Sequence, residues 1–112
     1  MSDRFPGTAA RLVLTTVGDR ASAERLARSL VEERLAACVN LLPGVHSIYR
    51  WEGSVEASDE ILLVIKTTHA AHAALAARVR AQHPYELPEL VTLDPAHVDP
   101  AYLRWIGESV TG

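Results

Sequence analysis

Residues 61–65 read Ile-Leu-Leu-Val-Ile, an unbroken apolar run. Side chains alternate across a strand, so a run of this length is apolar on both faces and predicts a central strand buried from both sides. A chain of 112 residues supplies one core and no second domain. One face of the strand can meet the chain's own helices, whereas the other needs a cover that a domain of this size does not provide alone. A partner subunit is the expectation. Apolar residues, at 48%, suit a folded globule, but many are alanines that each bury little area, so burial between subunits is the natural supplement.

The rest of the chain arranges itself around that strand. Residues 11–17 are rich in Leu, Val and Thr and end at Gly18-Asp19, a strand feeding a helix. Asp19 is a ready N-cap, and Leu26, Ala27, Leu30, Val31 and Leu35 recur at helical spacing. From Cys38 the pattern becomes extended, is interrupted at Pro43-Gly44 and resumes over residues 45–51: one long strand bent at a bulge. Glu52-Gly53-Ser54 makes a tight hairpin, and the return strand starts near Val55. The 45–51 arm is expected to be too long to pair within a six-element domain. Thr68 caps a second helix over residues 70–82 with Ala71, Leu75 and Val79 as its seam, and Pro84 forces His83 out of helical geometry. Residues 90–93 form a fourth strand, and Asp99-Pro100 opens a short terminal helix carrying Tyr102, Trp105 and Ile106. The order is βαββαβ plus a helix, an α+β, ferredoxin-like sandwich with an extended bent β-hairpin and a short C-terminal helix. It occupies residues 11–112 as a single domain, with residues 1–10 expected to be a disordered tail.

Charge and cysteine content narrow the function. Eleven basic against fourteen acidic residues give a net charge of −3 with no basic block, so no nucleic-acid partner is expected. One cysteine, Cys38, builds neither an internal disulfide nor a cysteine-rich metal site, and a reducing cytoplasm is its natural setting. No membrane span and no signal-peptide core is legible. The fold hosts many functions, so the residues must decide. The central strands carry no aromatic platform for RNA bases, and the Val17-Gly18-Asp19-Arg20 turn lacks a phosphate cradle. The usual pairing of nucleophile and base is also missing, and Asp59 and Glu60, adjacent on a strand, point to opposite faces. The chain does not read as an enzyme.

Segments spread over nearly the whole chain resemble one family in order and spacing. They are Val13-Leu14-Thr15-Thr16-Val17, Leu35-Ala36-Ala37-Cys38-Val39-Asn40, Ile48-Tyr49-Arg50-Trp51-Glu52-Gly53, Ile65-Lys66-Thr67-Thr68 and His83-Pro84-Tyr85-Glu86-Leu87-Pro88-Glu89. The family is CutA, the divalent-cation tolerance type. The resemblance implies a homotrimer in which the bent hairpin reaches onto a neighbouring subunit, much as in PII signal proteins, and binding of copper or a similar divalent cation. It also implies copper ligands from a cysteine in the first strand and two adjacent histidines before the Pro-Tyr. Here Thr15 stands at the cysteine position, Gln82 at the first histidine and His83 at the second. A hydroxyl and an amide are poor copper ligands, so an incomplete, weak site is expected.

His83, following the second helix, is therefore the one metal candidate, though it also suits capping of the last helical carbonyls. His69 and His72 have a spacing that brings two imidazoles together but read as exposed polar residues, and His46 and His97 carry no assigned role. Cys38 reads as a small buried hydrophobe. Tyr49 and Trp51 share one hairpin face as subunit-interface anchors or pocket walls, with Trp105 a further interface residue. Lys66, Tyr85, Glu86 and Glu89 are candidates for an inter-subunit cleft, with Arg50 and Trp51 as further contacts. Two other readings stay open. One is a PII-like sensor holding a small metabolite between subunits, with Arg50, Trp51 and Lys66 as contacts; the other is a structural interaction module.

Overall fold

The computed structural model describes residues 9–111. Seven elements follow in order: β1 (Ala10–Val17), α1 (Arg20–Glu32), β2 (Cys38–Trp51), β3 (Ser54–Thr68), α2 (His72–Gln82), β4 (Val91–Leu93) and α3 (Pro100–Ser109). The four strands form one antiparallel sheet in the order β2-β3-β1-β4, the ferredoxin-like arrangement. The expected tail falls mostly outside the described residues, and its last member is corrected: Ala10 lies in β1, pairs with Thr68 and is buried.

Local chemistry sets the boundaries. Asp19 sits in extended geometry and its carboxylate accepts the Ser22 N–H at 2.9 Å, which starts α1 and holds the Asp19 pKa below its ordinary value. Asp99 accepts from the Ala101 and Tyr102 N–H groups, with Pro100 at the first helical position of α3. Thr68 does accept the Ala71 N–H at 3.1 Å, but Ala70 and Ala71 form a turn, so α2 begins at His72 rather than at 70. Leu90 packs against the core just ahead of β4 instead of opening it.

The hairpin arm is the main correction. Far from being too long to pair, it pairs with its own return strand from Val45↔Glu60 to Trp51↔Ser54, closed by Glu52 and Gly53, both at positive φ (50° and 85°). Two such residues make the hairpin turn whose twist matches the strands. The bulge falls where expected, between Leu42↔Leu62 and Val45↔Glu60. Its extra residue reverses the alternation of β2. Before it, the even-numbered residues of β2 share a face with Leu62 and Val64; beyond it, the odd-numbered residues do.

Helices α1 and α2 cover one face of the sheet. Val13, Val17, Leu63 and Ile65 are fully buried there, joined by Leu26, Leu30, Leu75 and Val79 from the helices. The other face lacks such a cover: Leu12, Leu14, Leu62 and Val64 are only half-buried, in keeping with the expectation that a domain of this size does not cover both faces of its central strand alone. α3 shields one end of this second face through a small cluster of Ala10, Ala71, Ile106 and Val110.

Candidate functional site

At the opposite end of the uncovered face, the hairpin arm and the loop after α2 enclose a cleft of about 870 Å³. β2 contributes Ser47, Ile48, Tyr49 and Trp51, β3 contributes Ser58 and Glu60, β1 contributes Thr16, and the loop contributes Tyr85 through Glu89. The bulge makes this possible. Without its reversal Tyr49 and Trp51 would project to the other side of the arm.

Tyr85 is the keystone of the cleft floor. Its hydroxyl donates to Glu60 Oε2 at 2.8 Å, and burial, reinforced by the Glu60 hydrogen bond and charge, raises its pKa well above the ordinary value. The phenol stays protonated and Glu60 keeps its donor. A β-carbon on Gly18 would lie 3.0 Å from the Tyr85 hydroxyl, so the strand-to-helix turn passes too close for a side chain. At the rim, Thr16 Oγ1 donates to Glu89 Oε1 at 3.4 Å, and the Tyr49 hydroxyl pairs with Ser58 Oγ at 3.2 Å.

His83 holds the loop against the sheet. Its Nδ1 accepts the Tyr85 N–H at 3.0 Å, which makes Nε2 the protonated nitrogen that donates to the Thr16 carbonyl at 2.8 Å. The residue is 7% exposed and both ring nitrogens are engaged, which leaves no free lone pair for a metal. The neighbouring Thr15 is fully buried on the helix-covered face, and its Oγ1 has no hydrogen-bond partner. These residues do not fit a tight copper site, and among the described residues no group of three His, Cys, Asp or Glu side chains stands close enough to hold a metal.

The other histidines are dispersed. His69 Nδ1 meets Arg11, His72 Nε2 meets Thr92 Oγ1 at 2.6 Å, and His46 pairs with Asp59 across the hairpin at 2.9 Å. His69 and His72 therefore have separate partners despite their spacing. Asp59 and Glu60 do point apart, the first exposed and the second buried.

The residues grouped in sequence divide in space. Tyr49, Trp51, Tyr85, Glu86 and Glu89 meet in the cleft. Lys66 does not: its ammonium lies 5.9 Å from the Tyr102 ring centroid, beside α3, where Trp105 stacks on Tyr102 with centroids 5.4 Å apart. Arg50 pairs with Val55 and is not among the cleft residues. Cys38 is half-buried on the uncovered face opposite Lys66, not a core side chain. Glu60 is the site residue that sequence reasoning passed over. Its signal was a charged residue directly adjoining the apolar run.

Residues 11–109 match the family model described as CutA1 divalent ion tolerance protein. The divalent-cation tolerance protein CutA of Thermus thermophilus is 50% identical over 98 residues, covering 88% of this chain and 95% of the relative. That of Pectobacterium atrosepticum is 46% identical, covering 98% and 99%. Among solved structures, CutA1 from Oryza sativa superposes with a TM-score of 0.88 at 40% identity, over 93% of this chain and 97% of its own. The one from Archaeoglobus fulgidus, described as periplasmic, gives 0.87 at 33% identity, over 91% and 99%.

Proposed function

This chain belongs to the CutA1 divalent ion tolerance family, and from that premise we propose that it works as a closed homotrimer that meets divalent cations weakly, as a binding protein rather than an enzyme. The observation that carries the assembly is the uncovered sheet face. Leu12, Leu14, Leu62 and Val64 are half-buried there, and Leu42, Val91 and Leu93 are more than 40% exposed. An apolar area of this extent is characteristic of a surface that meets another protein. The sheet also ends in β2 and β4, each with an outer edge that no strand among the described residues pairs. Edges left open invite uncontrolled pairing, whereas a head-to-tail contact repeated about a threefold axis covers face and edges together.

The weak-metal part of the proposal rests on His83. A metal at this imidazole must displace the Tyr85 N–H or the Thr16 carbonyl, and Thr15 and Gln82 offer no strong donor beside it. No membrane-spanning helix is present among the described residues, and the single free thiol supports a cytoplasmic setting. Sedimentation equilibrium at micromolar concentration should find three times the 12.2 kDa chain mass; a persistent species of 12.2 kDa would refute the trimer. Titration calorimetry with copper should give a dissociation constant in the millimolar range, as expected of a single hindered imidazole. A submicromolar site, or weak binding that survives His83→Ala unchanged, would overturn the metal assignment.

A further inference from the structure

We infer that the cleft between the hairpin arm and the 85–89 loop is a binding site for an alkylammonium group. This goes beyond the divalent-cation reading and does not depend on His83. The cleft is lined by Glu60, Glu86 and Glu89 and by no lysine or arginine, a charge balance that favours a cationic ligand over an anionic one. Glu60 is the most telling of the three. It is 9% exposed, Oε2 takes the Tyr85 hydroxyl, and among the described residues no lysine, arginine or histidine stands at ion-pair distance from it. A buried carboxylate without a cation is costly, and an arriving cation recovers that cost.

The walls decide which cation. Tyr49 and Trp51 are about 40% exposed on the arm, and aromatic faces attract ammonium groups. Hard divalent ions instead need several oxygens converging at short distance, and these carboxylates do not converge in that way. Ile48, Leu87 and Pro88 complete the lining with apolar surface suited to an alkyl stem. The volume falls in the range of small-ligand pockets. Two sources can supply the group: a free amine, or Lys66 of a second copy. Lys66 is the chain's single lysine, and among the described residues its ammonium has an aromatic ring rather than a carboxylate beside it.

Calorimetric titration of the assembled chain with n-butylammonium, 1-butanol and butyrate separates these cases. Saturable binding of butylammonium, at least roughly tenfold tighter than the neutral and anionic isosteres, is expected, since a charge-assisted hydrogen bond is worth about that much more than a neutral one. Glu60→Gln keeps an acceptor for Tyr85 and should weaken binding by roughly tenfold. Glu89→Gln, at an exposed position, should weaken it less and serves as the second variant should the first fail to fold. If the wild-type chain is silent and Lys66→Met gains butylammonium binding, the site stands and its natural occupant is the lysine of a second copy. Silence in both chains, equal binding of butanol, or indifference of the affinity to both carboxylate variants overturns the inference. Sedimentation of the same samples reads the trimer independently, so failure of one reading is not failure of the other.

Discussion

The two faces of the central sheet are built from the same kinds of residue and meet different fates. On one, Val13, Val17, Leu63 and Ile65 are fully buried beneath α1 and α2. On the other, Leu14, Leu62 and Val64 are half-buried, and their neighbours Leu42, Val91 and Leu93 are exposed by 42%, 45% and 44%. Residue type does not separate the faces; what lies above them does. The helix-covered face draws its stability from within one chain; under the proposed trimer the other face draws its share from association, which would make that share dependent on protein concentration.

The sharpest way to break this comparison is to damage each face in turn. Leu63→Ala opens a cavity in a fully packed core and should cost about 2–5 kcal/mol in denaturant unfolding, whatever the state of assembly. Val64→Asp, one residue along on the other face, should leave the helix-side core folded and shift sedimentation toward the 12.2 kDa species, with native far-UV circular dichroism. If Val64→Asp unfolds the chain at every concentration, or leaves its mass unchanged, the division between the faces is wrong.

A smaller effect sharpens the picture of the covered face. Thr15 is fully buried with an unpartnered hydroxyl, so Thr15→Val keeps the shape, removes the orphan group and should stabilise by about 1 kcal/mol in thermal or urea unfolding. Destabilisation would mean that the hydroxyl has a partner after all.

The smallest expected effect lies at the cleft and is read by pH. Tyr85 has a folded pKa raised above its unfolded value near 10, so its contribution is fully present below pH 10 and is lost as pH rises through the folded pKa. Wild-type stability should therefore decline above pH 10 more steeply than that of Tyr85→Phe, measured by denaturant midpoint across pH 8–11. Parallel profiles would show that the phenol's burial and its bond to Glu60 do not couple to folding.

Much of this was legible in the chain itself. The capping pairs Asp19 with Ser22 and Asp99 with Ala101 follow from short-range hydrogen bonding, and the Pro43-Gly44 interruption announces a bulge because proline cannot donate to a ladder. The end of α1 was not legible. Arg34 adopts φ 60° at a position where glycine is usual, held there by its side-chain bonds to the Glu108 carbonyl and Thr111 Oγ1, some 74 and 77 residues away. Local sequence cannot report a cost that is offset by a distant partner.

The candidate site shows the same boundary. The sequence by itself determined which residue types were present and how they alternate: a histidine before Pro84, aromatic residues two apart on an arm, and an apolar run needing cover on both sides. Those are properties of covalent order and of the strand period. Tertiary structure alone decided that one extra residue at the bulge turns Tyr49 and Trp51 toward Glu60, that Lys66 sits with Tyr102 instead, and that both nitrogens of His83 are spent on Tyr85 and Thr16. Each depends on the register between segments far apart in the chain, and register is set by packing of the whole sheet rather than by any residue's own preference.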